Sequence, residues 1–148
     1  MEKTKINIKR LNKYAKLPTY GSCFAAGADL YACTENKTVL APGETKIIST
    51  GIALEIPTGY AGLIYARSGM ATKRGLAPAN KVGVIDSDYR GEILIALHNH
   101  STNTESVECG ERIAQLIITP VLSVDFEEVT NLSATARDTG GFGSTGKE

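Results

Sequence analysis

The sequence predicts an all-β fold, a sandwich or barrel built from short strands. Three observations lead to this prediction. Apolar and polar residues alternate in several short segments, which is the pattern of a half-buried strand. Turn residues, mainly Gly and Pro, separate these segments at short intervals. A single segment, residues 67–75, carries both the start and the stop signals of a helix, and it is short.

The chain has 148 residues, the size of one domain. A chain of this length buries about 68 to 70% of its extended surface on folding, so it needs no disulfide to be stable. Its three cysteines, Cys23, Cys33 and Cys109, form no Cys-x-x-Cys pair, which argues against a disulfide framework or a zinc site. We expect reduced, buried thiols in a cytoplasmic protein.

The charge balance excludes some partners. The 16 Lys and Arg residues match the 16 Asp and Glu residues, and no long basic run occurs. This argues against a general nucleic-acid binder, although a few local arginines can still hold a small polyanion. The amino terminus leads into no apolar segment, and no apolar window of about 18 residues occurs elsewhere, so we expect neither export nor a membrane span.

The first strand is predicted around Ile6 and Ile8, which alternate with polar residues, and residues 17–21 end it with a loop. Residues 25–32 then place small side chains before a lone acid, Asp29. One interpretation is a backbone packed close to another group, with Asp29 directed at that contact. The alternative is an Asp that only caps the turn.

Two strands are predicted at residues 45–49 and 52–56, with Gly51 between them. A further strand at 63–66 leads into the helical segment.

The helical segment, residues 67–75, has Ser68 as its predicted N-cap and Gly75 as its stop. An arginine and a hydroxyl at a helix start, Arg67 and Ser68, would suit an anion, because free backbone N–H groups point there. The alternative is that Ser68 is an ordinary cap.

Residues 80–92 are predicted to form a hairpin. Val82, Val84 and Asp86 fall on one face of an extended segment, and Gly91 then reverses the chain into the apolar run that follows. Functional sites often lie on loops held by a rigid sheet, so the tip is a candidate site. It carries Asp86, Asp88, Tyr89 and Arg90.

The last clear strand is predicted at residues 112–118, where Gln115 shares a face with Ile113 and Ile117. A glutamine on an apolar face must find a partner, either a neighbouring backbone group or a ligand or water. Residues 120–129 are predicted to add a last strand or two.

The chain divides into a domain at residues 1–130 and a glycine-rich arm at residues 131–148. Gly141, Gly143 and Gly146 satisfy Gly-x-Gly-x-x-Gly, but this motif must open a helix and the chain stops two residues later. The glycines still allow backbone N–H groups to surround an anion. The alternative is a disordered end.

Five segments in order resemble the five motifs of the homotrimeric dUTP pyrophosphatases. They span nearly the whole chain, and five motifs in the right order are specific where one would be weak. They are residues 26–32, residues 67–69, Asn80 with residues 83–92, residues 110–116, and Arg137 with residues 140–146.

The resemblance implies hydrolysis of dUTP to dUMP and pyrophosphate, which limits uracil incorporation into DNA and supplies dUMP for thymidylate synthesis. It implies a distorted jelly roll or β-barrel of the β-clip type, with one short helical turn and a flexible C-terminal tail. It also implies a homotrimer whose sites are each shared by three subunits, and Mg²⁺ bound mainly by the triphosphate and water.

The resemblance also implies roles for individual residues. Asp86 is the general base that activates water, with Gln115 and Ser68 holding that water and the phosphates. Asp29 lies in the second shell of the metal. Attack by water needs a base, charge neutralisation and alignment but no covalent nucleophile, so these residue types suffice.

The substrate-binding residues follow in the same way. Asn80 and the nearby backbone read uracil, and Tyr89 packs under the deoxyribose. One departure is Asp138, which stands where the family usually has glycine. The full expected set is Arg67, Ser68, Gly69, Asn80, Gly83, Val84, Ile85, Asp86, Tyr89, Gln115, Arg137, Phe142, Gly143, Ser144 and Thr145.

Two alternative functions stay open. The first is a deaminase of the same structural family acting on dCTP, which would release ammonia instead of pyrophosphate. The second is a trimeric module that binds dUTP without turnover. The tyrosine in the hairpin and the complete tail favour hydrolysis over deamination.

Overall fold

The computed structural model describes residues 4–141. Within this range it has eleven strands and one helix, in agreement with the predicted all-β class and its one short helix. The strands are Asn7–Arg10 (β1), Thr19–Tyr20 (β2), Ala28–Tyr31 (β3), Thr38–Leu40 (β4), Thr45–Glu55 (β5), Tyr60–Tyr65 (β6), Leu76–Pro78 (β7), Gly83–Ile85 (β8), Glu92–Asn99 (β9), Glu105–Val107 (β10) and Arg112–Pro120 (β11), and the helix is Ser68–Arg74 (α1).

The strands form two main sheets and a small third one. The four-stranded sheet has the order β1-β5-β9-β7, the five-stranded sheet has the order β2-β3-β11-β6-β8, and β10 pairs with β4. Neighbouring strands are antiparallel throughout. Side chains from both main sheets form one core, which explains why short alternating segments suffice to build it. The largest fully buried apolar side chains are Leu30, Leu40, Ile48, Ile52, Ile56, Leu76, Ile93, Ile95, Leu97, Val107 and Ile113.

The two strands predicted at residues 45–49 and 52–56 are one strand, β5, so that prediction is wrong. Its register against β9 shifts between Ser49 and Ala53, which marks a β-bulge. Gly51 lies in the bulge with φ +67°, a conformation that glycine adopts without steric cost. The chain therefore continues through a glycine that the sequence pattern presents as a break.

The hairpin predicted at residues 80–92 is also wrong. β8 pairs with β6 in the five-stranded sheet, whereas β9 pairs with β5 and β7 in the four-stranded sheet. The connection at residues 86–91 therefore crosses from one sheet to the other. Two extended segments joined by a turn have the same local sequence pattern in a hairpin and in such a crossing. Only the packing of the two sheets distinguishes the two structures.

No strand occurs in residues 121–141, the part of the chain after β11 that the structure describes. The prediction of one or two strands at residues 120–129 is therefore wrong beyond Pro120. Pro120 is the last residue of β11, and residues 121–129 form no strand. The reason is exposure: Leu122, Phe126 and Leu132 are 92%, 95% and 88% exposed. A strand needs a neighbour to accept and donate its backbone hydrogen bonds, and the described part of the chain offers none here.

The three cysteines are all free, as expected, but the prediction that they are buried holds for only one of them. Cys33 is buried, whereas Cys23 and Cys109 are exposed. In the described part of the chain, no helix has the length and apolar character that crossing a membrane would require.

Candidate active site

Three neighbouring strands bring polar side chains together on the five-stranded sheet. On β11, Gln115 lies opposite Asp29 of β3 on one side and opposite Tyr65 of β6 on the other. Directly opposed residues of antiparallel strands project from the same face, so Asp29 and Gln115 share a face. Arg67 follows the end of β6 and reaches the same place, where it bonds to Asp29.

The amide of Gln115 is held on both sides. Its Nε2 donates a hydrogen bond to the carbonyl oxygen of Ala66 at 2.8 Å, so the expected backbone partner is present. Its Oε1 lies against Gly27, where a Cβ atom would be 2.5 Å from that oxygen. Ala66 and Gly27 together form what we call the Gln115 clamp. The clamp fixes the orientation of the amide and leaves the lone pairs of Oε1 available to accept hydrogen bonds.

A bulge changes the predicted faces of β11. The register against β3 shifts between Arg112 and Ala114, and both Ile113 and Ala114 are fully buried. The expectation that Gln115 shares its face with Ile113 and Ile117 is therefore wrong for Ile113, which enters the core instead. Simple alternation fails because a bulge adds one residue to the strand.

Asp29 joins two arginines. Its Oδ1 accepts a hydrogen bond from Arg67 Nε at 2.7 Å, and its Oδ2 lies 3.3 Å from Arg112 Nη1. The Asp29 residue is only 9% exposed, whereas the side chains of Arg67 and Arg112 are 25% and 52% exposed. The buried carboxylate thus holds two guanidinium groups at the surface, and the cluster keeps a net positive charge suited to an anion.

The helix start differs from its prediction. Arg67, not Ser68, is the N-cap residue, with extended backbone at φ −86° and ψ 133° and no capping bond from its side chain. Ser68 is the first residue of α1 and is exposed, as is Gly69. The predicted stop is confirmed, because Gly75 adopts the left-handed conformation at φ +66° and its N–H bonds to Met70.

The crossing at residues 86–91 borders a second feature, a cavity of about 180 Å³. Tyr89 encloses part of it, with its hydroxyl donating to the carbonyl oxygen of Glu92 at 3.0 Å. The exposed Asp86 accepts a turn hydrogen bond from the N–H of Tyr89 through its backbone carbonyl. The lining residues are Val84, Ile85, Asp86, Tyr89, Glu92 and Leu94.

Asn80 and Gly83 adjoin this cavity through β8. The Asn80 side chain lies beside Gly83, where a Cβ atom would be 3.3 Å from Nδ2. Among residues 4–141, β8 also ends the five-stranded sheet and has a neighbouring strand on one side only. Its other edge offers backbone donors and acceptors to a ligand.

One chain does not bring Asp86 and Gln115 together. Along β6, Gly62 pairs with Ile85 and Tyr65 pairs with Gln115, so Ile85 is three residues from Gln115, about 10 Å along the strand, and Asp86 follows one residue further away. They also lie on opposite sides of β6, which adds two strand spacings of about 4.8 Å each.

The described part of the tail contains a compact turn. Arg137 Nε donates to the carbonyl oxygen of Gly140 at 2.9 Å, and the Gly140 N–H donates back to the Arg137 carbonyl oxygen at 3.0 Å. Asp138 stands in the left-handed region at φ +43°, where glycine is favoured. Four expected site residues lie outside the described range, namely Phe142, Gly143, Ser144 and Thr145.

The sequence did not predict a role for several residues of the site. Gly27 and Arg112 stand inside the quoted motif segments, but nothing in their local pattern relates Gly27 to Gln115 or Arg112 to Asp29. Glu92 and Leu94 line the cavity because β9 returns beneath it from the other sheet. Contacts of this kind depend on strand pairing and leave no local signal.

Comparisons with known proteins agree on one family. A family model described as dUTPase matches residues 13–146. The deoxyuridine 5'-triphosphate nucleotidohydrolase of Syntrophotalea carbinolica is 48% identical over 146 residues, which covers 99% of this chain and 99% of that protein. The protein of the same name from Hydrogenobaculum sp. is 48% identical and covers 96% and 98%.

Solved structures give the same result. The Staphylococcus bacteriophage 80alpha dUTPase with dUPNHPP has a TM-score of 0.85 and 30% identity, covering 97% of this chain and 99% of that one. A mutant dUTPase from phage phi11 of S. aureus, described with a coordinated structural Mg(II) ion, has a TM-score of 0.80 and 25% identity, covering 88% and 100%. The family model and these relatives agree, and the chain belongs to the dUTPase family.

Proposed function

We propose that the protein hydrolyses dUTP to dUMP and pyrophosphate by attack of water on the α-phosphate, and that it thereby limits uracil incorporation into DNA and supplies dUMP for thymidylate synthesis. The observation that carries this proposal is the cavity between β8 and β9. It combines a free strand edge, an aromatic ring and the carboxylate of Asp86. The names of the relatives at 48% identity support the same reaction.

The free edge of β8 selects uracil. The backbone of Gly83, Val84 and Ile85 has donors and acceptors on the side away from β6, and the amide of Asn80 stands next to it. Hydrogen bonds matched to one base edge reject a mismatched edge, because its polar groups would be left unpaired. This arrangement disfavours cytosine, whose donor and acceptor pattern differs.

Tyr89 selects the sugar. Its ring packs over Gly91, where a Cβ atom would collide with the ring, and its hydroxyl is tethered to Glu92. A ring fixed in this way packs under deoxyribose and leaves no room for a 2'-hydroxyl. UTP is then rejected by steric exclusion.

Asp86 acts as the general base. Its side chain lies at the mouth of the cavity and is exposed, so a water molecule can reach both it and a phosphate that extends outward. Removal of a proton from that water by a carboxylate raises its nucleophilicity without a covalent intermediate.

The cluster around Gln115 binds the phosphates and the attacking water. Arg67 carries positive charge to the surface and is oriented by Asp29. Gln115 has acceptor capacity left on Oε1. The exposed Ser68 starts α1 two residues after Ala66, the backbone partner of Gln115, and Gly69 gives the phosphates close access to the backbone. These groups align the substrate and neutralise its charge, which are the two remaining requirements of the reaction.

Mg²⁺ fits this site as an ion that binds together with the substrate and is held mainly by the phosphates. Among residues 4–141, no group of three or more His, Cys, Asp or Glu side chains is placed to hold a metal. Both oxygens of Asp29 already accept hydrogen bonds from arginines, so this carboxylate is suited to bind a metal-bound water and not the ion itself. Mg²⁺ retains waters readily and binds phosphate oxygens, and when bound it neutralises charge on the triphosphate.

The site is shared between chains of a homotrimer. Asp86 and Gln115 lie at opposite ends of β6 in one chain, so Asp86 of one subunit meets Gln115 of another. The exposed apolar side chains at residues 121–132 support assembly, because exposed apolar residues close in sequence mark contact surfaces.

The tail completes the site. Residues 131–148 form an arm outside the domain of residues 1–130, and Arg137 closes over the bound nucleotide with Phe142, Gly143, Ser144 and Thr145. Asp138 brings a negative charge next to Arg137 and so weakens the closed state.

The exposed thiols Cys23 and Cys109 are compatible with the reducing cytoplasm.

The test is pyrophosphate release from dUTP with Mg²⁺, compared with dTTP, dCTP and UTP. Asp86→Asn should retain dUTP binding and lose at least about two orders of magnitude in kcat, because the general base is removed. Asp88→Asn is the matched control, since Asp88 is an exposed acid two residues away, and its rate should stay within a few-fold of the parent.

Other outcomes identify the alternatives. A near-parent rate for Asp86→Asn contradicts the role of that residue. Ammonia release from dCTP indicates a deaminase, and dUTP binding without pyrophosphate release indicates a module that binds the nucleotide without turnover.

A further inference from the structure

A second cavity, of about 440 Å³, contains two of the three cysteines. Cys33 is 7% exposed at its inner wall, and Cys109 is exposed at its opening. None of its residues belongs to the proposed active site. The lining residues are Asn12, Tyr14, Cys33, Thr34, Glu35 and Cys109.

Backbone hydrogen bonds join the two segments that carry the cysteines. The Ala32 N–H donates to the carbonyl oxygen of Glu111 at 2.8 Å, and the Gly110 N–H donates to the carbonyl oxygen of Ala32 at 2.7 Å. With Gly110 at φ +79°, this is the pattern of a bulge that has glycine in its first position. Cys33 and Cys109 each lie one residue beyond this bonded pair: the Cys33 N–H donates to the carbonyl oxygen of Ser49, and Cys109 lies in the turn closed by the bond from Glu111 N–H to Glu108.

The hydrogen bond from Gly110 N–H to the Ala32 carbonyl oxygen joins the backbones directly beside the two cysteines, and disulfides bridge Cα distances of about 4.4 to 6.8 Å. We propose that Cys33 and Cys109 are a redox site that closes reversibly to an intramolecular disulfide under peroxide. The bridge would join the segments that follow β3 and precede β11.

The two thiols have different roles. Burial, together with the nearby negative charges of Cys109 and Glu92, raises the pKa of Cys33, so Cys33 stays a protonated thiol at neutral pH. Cys109 is accessible to solvent and is therefore the thiol that meets the oxidant. This division is the usual one between an attacking cysteine and a resolving cysteine.

The chemistry balances with hydrogen peroxide as the oxidant. The Cys109 thiolate attacks one peroxide oxygen, the O–O bond breaks, and hydroxide leaves, so Cys109 becomes a sulfenic acid. The Cys33 sulfur then attacks the Cys109 sulfur, the S–O bond breaks, and the oxygen leaves as water with the proton of Cys33. Overall, two thiols and one peroxide give one disulfide and two waters.

The bridge should stabilise the fold. It closes a loop of about 75 residues, which restricts the unfolded chain, and it ties together the strands that carry Asp29 and Gln115. The thermal midpoint of the oxidised protein should therefore rise by about 5 to 10 °C, and dithiothreitol should return it to its starting value.

The experiment treats the full-length protein with hydrogen peroxide, blocks remaining thiols under denaturing conditions, and measures intact mass and peptide linkage. We expect a monomer-mass species with two thiols lost and a single Cys33–Cys109 peptide. Cys23→Ser is the matched control, because it removes an exposed cysteine outside the cavity, and it should form the same bridge. Cys109→Ser should form none.

Several results would overturn the proposal. These are a bridge that includes Cys23, crosslinked chains on a non-reducing gel in place of the internal bridge, and a Cys109 that is oxidised while Cys33 remains free. Because Cys109 is exposed, Cys109→Ser should fold like the parent. A loss of folding in that variant can be checked by its thermal midpoint in dithiothreitol, and Cys109→Ala then provides the same test.

Discussion

Gln115 owes its orientation to a residue without a side chain. Gly27 leaves the space that Oε1 of Gln115 occupies, and Ala66 accepts the bond from Nε2. A glutamine amide can rotate between two orientations, and this clamp selects one of them by a close contact on one side and a hydrogen bond on the other. Gly27 is thus a positioning residue for the water and phosphates that Gln115 is proposed to hold.

The substitution Gly27→Ala should therefore act through Gln115. The new Cβ atom would lie 2.5 Å from Oε1, so the amide must move, and we expect kcat to fall about tenfold or more while the fold is retained. Gly21→Ala is the control, because no atom of the described residues lies within 4 Å of a Cβ there. Pyrophosphate release and thermal midpoints measure the two effects.

A double-mutant comparison separates positioning from a structural defect. If Gly27 acts through Gln115, then Gly27→Ala should cost little more activity in a Gln115→Ala background, because the affected group is already absent. Additive losses in the double variant would contradict the positioning role.

At the scale of elements, α1 is joined to the rest of the fold by its last residue. Arg74 Nε donates to Glu105 at 2.8 Å, and its other nitrogens bond to Glu111 and to the carbonyl oxygen of Ser106. The surrounding acids raise the pKa of Arg74 against the opposing effect of burial. These three hydrogen bonds of Arg74 connect the helix to β10 and to the turn before β11. They thereby help to hold Arg67 at the other end of the helix.

Arg74→Lys should lower the free energy of unfolding by about 1 to 3 kcal/mol, because a lysine keeps the charge but cannot reach three acceptors in one plane. Lys73→Ala is the control, since Lys73 is an exposed neighbour on the same helix, and it should change stability by less than about 0.5 kcal/mol. Denaturant unfolding gives both values. Equal effects of the two substitutions would contradict the anchoring role of Arg74.

At the scale of the whole molecule, Asp86 and Gln115 lie apart within one chain, although the proposed mechanism uses both residues in one site. β8 and β11 lie on opposite sides of β6, and their functional residues lie toward opposite ends of it. On the proposed mechanism, a second subunit supplies the missing half. This makes the proposed homotrimer a condition of catalysis and not only of stability.

Mixed assemblies test this directly. Asp86→Asn and Gln115→Ala chains, each nearly inactive alone, should recover activity when they are refolded together in equal amounts. Random mixing would restore about a quarter of the sites, those that combine an intact Asp86 from one chain with an intact Gln115 from another. Each variant refolded alone is the control, and the absence of any recovery in assembled mixtures would place both residues in the same chain's site.

Much of the fold was predictable from local patterns, and the exceptions have a common cause. The helix stop at Gly75 was predicted because a left-handed glycine ends a helix locally. The break at Gly51 and the hairpin at 80–92 were predicted wrongly, because a bulge and a crossing between sheets have the same local pattern as a turn. The exposed segment after Pro120 has the composition of a strand but pairs with no other strand of the described residues.

The sequence by itself determined the all-β class, the short helix and the identity of the five motifs, because these depend on residue type, spacing and order along the chain. Only the tertiary structure decided that Gly27 orients Gln115, that Asp29 joins Arg67 to Arg112, and that Cys33 and Cys109 line one cavity. These contacts arise when strands far apart in sequence pair in one register. That register is chosen by burial of a common core, which no local segment specifies.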